Sequence, residues 1–423
     1  MVVLSILHTF VVVSCNSRNE PGSTIELVFK HGKLTADSRF MRNMFHEFER
    51  QHPGVTVREE VLPASTDQQH QYYAINLDSR YVPFDVLAVD VIWVPEFARA
   101  GWIRSVDPLI PPSDRKDSID STILSATYND HLYAVPWYID AGVLYYRHDL
   151  LERYGFDPPR SWPDLKRIVR TILDGERDPA LKGFLWSGKQ YEGLVCVALE
   201  FIWSHGGDLF DSGGSAGAVA ALHFMRDLVQ DGISPELVST ADEEVGRLLF
   251  ADGRAVFMRN WPYVSPLLEV NDSPVRGKVG LSVLPSFQGH PSASVLGGWM
   301  LAIPSASRHP ELAADFIAFL TSPANLRQLA LDLGHHPARR SLYLDDTLRR
   351  AQPSLEDLFP VFLAARPRPV TPYYLMLSQV LQPEFSAALV GRKTPQAVLA
   401  AVRTQATSMG LDDEKLMAGS PGR

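Results

Sequence analysis

The chain has 423 residues, 45% of them hydrophobic and 21% charged, with a formal net charge of −9. That is the composition of a globular protein of two or three domains, and without a basic run it argues against a nucleic-acid partner. Two cysteines, Cys15 and Cys196, exclude a disulfide framework.

The first feature along the chain is the apolar run Val11-Val12-Val13-Ser14-Cys15, followed by the polar stretch Asn16-Ser17-Arg18-Asn19-Glu20. The run is too short to span a bilayer. It resembles a bacterial lipoprotein signal in which Cys15 becomes the lipidated residue, although only His8 and no Lys or Arg precedes it. Ile25–Phe29 then reads as a strand, and Phe40, Met41, Met44, Phe45 and Phe48 recur at helical spacing until His52-Pro53-Gly54 ends the helix. Val55–Val61 is a second strand. A further helix precedes Asp85–Asp90, a buried-type strand that closes on a carboxylate. Strand and helix alternate here, which predicts a parallel sheet with helices on its faces. Ligands of such sheets collect at the carboxyl ends of the strands, where Asp90 sits.

The middle of the chain is mostly helical. Ser161-Trp162-Pro163-Asp164 has the form of a helix start, and helices follow over Leu194–Ser204, Ala216–Gln230 and Glu243–Ala251. Cys196, in an apolar run, reads as a small core residue. Ala255–Met258 is a strand that delivers Arg259-Asn260-Trp261-Pro262-Tyr263. Strands near Val279–Leu284 and Trp299–Ile303 precede a helix near Glu311–Leu320. Beyond residue 340 the chain is again helical and broken by prolines. No Gly/Ser linker divides the chain, so two lobes would be joined by several strand crossings. The candidates for these are Tyr133–Tyr146, the vicinity of Trp261, and the vicinity of residue 335.

Enzyme signatures are absent: there is no Gly-x-Ser-x-Gly elbow, His-Glu-x-x-His helix or phosphate-binding loop. His335-His336 is adjacent rather than at helical spacing, and no nearby acid completes a metal set. What stands out instead is single polar residues beside aromatics. In Gly297-Gly298-Trp299 a backbone floor adjoins an indole, which suits either a sugar ring or a glycine turn feeding a core strand. Tyr138 and Asp140 are two apart and share a side if extended, and a carboxylate accepts strong bonds from hydroxyls. Trp261-Pro262 fits a lobe edge or a plain helix entry. Arg368, held in a proline-stiffened segment, would serve a ligand oxygen or an interdomain carboxylate equally well.

The order of seven segments resembles the extracellular solute-binding proteins of sugar ABC importers, family 1, and is most similar to the trehalose/maltose type. The segments are Pro63-Ala64-Ser65-Thr66-Asp67, Asp85 through Trp93, Val135-Pro136-Trp137-Tyr138-Ile139-Asp140-Ala141-Gly142, Gly206-Gly207-Asp208-Leu209-Phe210, Asn260-Trp261-Pro262-Tyr263, Gly297-Gly298-Trp299, and Arg368 through Tyr374. The resemblance implies an α/β, two-lobed periplasmic-binding-protein fold with multiple interlobe crossings and a ligand cleft. The expected division is 1–23 signal and tether, 24–136 plus 265–335 first lobe, 137–264 plus 336–415 second lobe, and 416–423 flexible tail. It also implies that Asp90 binds hydroxyls, that Tyr138 and Asp140 sit near the hinge, that Trp261 and Trp299 stack the sugar, that Gly298 offers backbone, and that Arg368 closes over it. The pattern departs at Gln68-Gln69, where such proteins often carry an arginine, and in the first loop, Phe29-Lys30-His31-Gly32-Lys33. His31, Gln69 and Tyr263 are further candidates. The expectation is a monomeric, lipid-anchored, exported binding protein without catalysis, metal or cofactor, whose partners are a small sugar and an ABC permease. A saccharide-active enzyme, or a binder of a polyol or glycerophosphodiester, is the alternative.

Overall fold

The computed structural model describes residues 24–34, 39–63, 65–79, 82–210 and 214–411. The expectations for Cys15, the tether and the 416–423 tail lie outside the described residues. Among those described, no helix is long and apolar enough to cross a membrane.

Among the described residues, twelve strands form the frame: β1 (Ile25–Gly32), β2 (Val55–Leu62), β3 (Val86–Asp90), β4 (Thr127–Tyr128), β5 (His131–Leu132), β6 (Val135–Ala141), β7 (Val143–Arg147), β8 (Lys182–Leu185), β9 (Ala255–Asn260), β10 (Val279–Ser282), β11 (Leu296–Ala302) and β12 (His336–Pro337). The larger sheet has the order β12-β6-β11-β3-β1-β2 and the smaller one β10-β7-β9-β8, while β4 and β5 pair alone. β1, β2 and β3 are parallel, as the alternation of strand and helix predicts. β11 enters antiparallel between β3 and β6, because it returns from the smaller sheet. The helix Arg39–Gln51 buries the predicted Phe40, Met41, Met44, Phe45 and Phe48. The helix Trp162–Glu176 begins where predicted, with Ser161 accepting from the Asp164 amide. Every residue of the helix Glu192–Ser204 is buried, Cys196 included.

β6 ends at Ala141 and β7 begins at Val143, so a single residue, Gly142, separates the two sheets. A Cβ on Gly142 would run into Glu200 and lie 2.6 Å from Arg259. These two side chains, each 2% exposed, form a bidentate ion pair at 2.8 and 2.5 Å. Glu200 Oε1 also accepts from the Val295 amide at 3.2 Å. Two further crossings pass beside Gly142. Ser294 Oγ donates to the Gly142 carbonyl (2.7 Å), the Leu296 amide donates to Arg366, and the Arg366 amide donates to Ser294. Three chain crossings are thus hydrogen-bonded into one hinge.

The first of these is the expected Tyr133–Tyr146 crossing. The others lie at 293–296 and 366–368, not near Trp261 or residue 335. The lobe boundaries move accordingly. Residues 265–295, expected with the first lobe, carry β10, which pairs with β7, and Phe287, whose amide donates to Ser204. Residues 336–365, expected with the second, carry β12, which pairs with β6, and Arg339, which is ion-paired to Asp114 at 2.7 Å. The first sheet therefore gathers the described residues of 24–141 and 296–365, and the second those of 142–295 and 366–411. Proline spacing cannot reveal such partners, because they are set by ladders between distant segments.

Removing one member of a buried ion pair strands the other without solvent. Glu200→Ala is therefore expected to destabilise the protein by about 3–5 kcal/mol, read as a lower midpoint of denaturant unfolding. A loss below about 1 kcal/mol would show that the pair does not tie the hinge together.

Candidate functional site

β3 and β6 run parallel and end at the same edge of the larger sheet, where β11 starts in the opposite sense. Trp299 consequently lies opposite both Asp90 and Tyr138, and Gly297 lies opposite Asp140. Alternation then puts Asp90, Trp299, Tyr138 and Asp140 on one face. A bulge keeps this order: the ladder steps from Trp299–Tyr138 to Met300–Pro136, leaving Trp137 unpaired. Trp137 meets Phe29 edge-on, with ring centres 5.8 Å apart. In the smaller sheet β9 ends against Val143, so Trp261 emerges beside the hinge and against Gly297, where a Cβ would lie 3.0 Å from the indole.

Trp261 is held on several sides. The Arg259 guanidinium lies 4.1 Å from its ring centre, its Nε1 donates to Glu243 Oε1 at 3.3 Å, and its carbonyl accepts from Tyr145. Trp299, half-buried, meets Trp93 edge to face at 5.6 Å. Two indoles fixed in this way offer apolar faces without losing rotamer freedom on binding.

The carboxylates are held differently. Asp90 Oδ1 accepts from the Ile92 amide (3.2 Å) and faces Arg368 Nη2 at 3.5 Å. Burial raises its pKa above the usual range, against the pull of Arg368 and the Ile92 amide. The Asp140 Oδ1 is buried with no hydrogen-bond partner. Burial pushes the Asp140 carboxyl from 3.8 to about 7, with Arg259 opposing and Asp90 adding. An acceptor in this condition is suited to a ligand hydroxyl donor.

Arg368 takes the second of its two readings, the interdomain carboxylate. Its Nη1 donates to Glu192 Oε1 at 2.7 Å and its Nη2 faces Asp90 and the Leu296 carbonyl, so it links the two lobes. Glu192 also accepts from Tyr374 (2.6 Å) and Ser378. Gly298 has φ +123°, and a Cβ there would strike the Tyr138 carbonyl and sit 2.9 Å from Ile139 Cα. Strand packing alone demands this glycine, and its carbonyl accepts from Val91 at 3.3 Å.

The remaining candidates are otherwise engaged. His31 is buried against Phe29, its two ring nitrogens taken by the Gly32 carbonyl (2.7 Å) and Glu59 (3.0 Å). Gln69 is buried over Gly32 and donates to the Pro63 carbonyl at 2.7 Å, while its Oε1 has no partner. The Tyr263 hydroxyl donates to Glu244 at 3.1 Å. Sequence reasoning misses Glu192, Glu200, Glu243 and Arg259. A signal for two of them exists, since Glu192 and Glu200 are the charged residues of an otherwise apolar helix, and each meets an arginine from elsewhere.

Residues 31–326 match the family of bacterial extracellular solute-binding proteins. A relative named "Probable ABC transporter-binding protein" in Deinococcus radiodurans is 35% identical over 327 residues, 75% of this chain and 77% of that one. The structure of maltose-bound MalE3 from T. maritima superposes with a TM-score of 0.83 at 36% identity, covering 91% of this chain and all of that one. An ABC transporter solute-binding protein from Agrobacterium vitis with bound D-mannitol shares the fold at a TM-score of 0.77 and 23% identity, covering 94% of this chain and 100% of its own.

The raised Asp140 pKa has a definite sign. Its contribution to stability is full below 3.8 and is lost as pH rises through about 7. Donors from a ligand favour the ionised form, so binding at neutral pH should release a fraction of a proton. Affinity should fall by up to about tenfold per pH unit below neutrality. Calorimetry in buffers of different ionisation heat checks both effects, and Asp140→Asn should abolish the proton release. An affinity independent of pH would contradict the assignment.

Proposed function

The chain belongs to the bacterial extracellular solute-binding proteins, and from that membership we propose that it is the sugar-capturing subunit of an ABC-type importer. The ligand is a mono- or disaccharide of the trehalose or maltose kind, bound between the lobes. One observation carries this reading: strands of both sheets bring Asp90, Tyr138, Asp140, Trp261 and Trp299 together beside the crossing at Gly142. Sugar rings have apolar C–H faces and a rim of hydroxyls, which is the complement of fixed indoles beside under-bonded carboxylates. The maltose in the related T. maritima structure supports the same class of ligand.

Capture works by population shift. A ligand that touches both lobes stabilises the closed arrangement about the triple crossing by its differential affinity for that state. The closed form then presents both lobes to a membrane permease. Cys15, at the end of its apolar run, is the proposed lipid anchor, holding a monomer at the outer face of the cytoplasmic membrane. No catalysis is proposed: the buried arginines are neutralised by Glu192 and Glu200, and the carboxylates serve as acceptors.

The test is a thermal-shift screen with glucose, maltose, trehalose, mannitol and a glycerophosphodiester, since a ligand of the native state raises apparent stability. A disaccharide should give the largest shift and be recovered intact. Steady turnover, or a larger shift from mannitol or the phosphodiester, would contradict the reading. Trp299→Ala should weaken the best sugar by about 2 kcal/mol, some 30-fold, while leaving the unliganded melting temperature within a few degrees. Unchanged affinity by calorimetry would remove Trp299 from the site.

A further inference from the structure

His335 was set aside as a metal ligand by its sequence, yet its position in the fold gives it another use. It follows Gly334, the left-handed C-cap (φ +72°) of the helix Pro323–Leu333. Gly334 packs against the second lobe, where a Cβ would lie 2.8 Å from Pro266 Cγ. β12 then pairs antiparallel with β6, His336 opposite Ile139 and Pro337 opposite Tyr138. One step further back, that register sets His335 beside Asp140. Alternation puts His335 on the face that carries Tyr138 and Asp140, and His336 on the other, against Phe362.

The imidazole of His335 stacks on Tyr138 with ring centres 4.2 Å apart and planes 28° from parallel. The residue is 5% exposed, and neither ring nitrogen has a hydrogen-bond partner. Buried donors and acceptors in native proteins are nearly always paired. Here both nitrogens are unpaired on the residue that the β6–β12 register sets across from Asp140, whose Oδ1 is likewise unpaired. Stacking fixes the ring plane, so the nitrogens are aimed rather than free to turn away.

We propose that His335 is a ligand-binding residue, forming with Tyr138 and Asp140 a subsite at the β12 edge for adjacent hydroxyls of an uncharged, polyhydroxylated ligand. A neutral imidazole offers one donor and one acceptor, which matches a hydroxyl that is both. Burial holds the ring neutral, its pKa lowered to about 4, so the subsite favours a hydroxyl over an anionic group. The donor from a second hydroxyl goes to Asp140. The inference rests on the saccharide reading above and specifies one end of that site.

His335→Phe keeps the stack on Tyr138 and removes both nitrogens, whereas His335→Gln restores a donor and an acceptor without the ring. By calorimetry with maltose, the Phe variant should bind about tenfold or more weakly, and the Gln variant should recover part of that loss. The unliganded Phe variant should melt no lower than wild type, since it no longer buries unpaired nitrogens. Phe binding within about twofold of wild type overturns the proposal, because each lost hydrogen bond is worth more than that. Should the Phe variant not fold, ¹⁵N-histidine spectra of the wild type decide: both ring nitrogens of His335 should shift on adding maltose, and unchanged signals overturn the proposal. A wild type that binds none of maltose, trehalose, glucose or mannitol overturns the saccharide reading itself, an outcome separate from unchanged binding by the Phe variant.

Discussion

Glu200 and Arg259 are both almost wholly buried, and their charges are met by each other, by the Val295 amide and by close packing against Gly142. A charge pair in such a place tolerates little displacement, because neither member has solvent to turn to. Its position therefore fixes three things together: where β6 gives way to β7, where the chain crosses back at Val295, and where β9 ends. Trp261 inherits its place from the last of these, with the same guanidinium lying over its ring. The second buried pair, Arg368 with Glu192, repeats the device at the third crossing and reaches toward Asp90 of the other lobe.

These pairs also set the electrostatics of the site. Both arginines are partnered by glutamates, so Asp90 and Asp140 are left with only partial compensation, and burial raises both. Carboxyls, an aimed but neutral imidazole and two clamped indoles make a surface poor in free cations and rich in acceptors. On the proposed reading, such a surface recognises hydroxyl donors on an apolar ring. Arg259 and Arg368, the two arginines beside these carboxyls, are each ion-paired to a glutamate, which on this reading favours an uncharged ligand over an anionic one.

The positions of Asp90 and Asp140 are legible in the sequence because each closes an apolar run, so strand direction brings it to the carboxyl edge of the sheet. Tyr138 follows from its spacing to Asp140, Trp261 from its place after β9 and Trp299 from the two glycines before it in β11. The helix faces are equally plain, Phe40 to Phe48 above all. The lobe boundaries are not, because β10 and β12 are short and owe their sheet to partners far away in the chain. At Gly298 the carbonyl of Tyr138 excludes a side chain, a constraint the glycine alone does not reveal. The bonds from His31 to Glu59 and from Arg368 to Glu192 are equally hidden, because each partner is far away in the chain. His335 is weighed in the sequence only as a metal ligand, because its place beside Tyr138 arises across the β6–β12 ladder.

The central claim is that one uncharged sugar bridges the two lobes and draws them together about the triple crossing. Small-angle scattering of the wild-type protein, with and without saturating amounts of the sugar that binds, tests it most directly. A smaller radius of gyration in the presence of sugar, with the sugar recovered unchanged, is the result this account predicts. Sugar bound at an unchanged radius of gyration, or recovered as cleaved products, would contradict it.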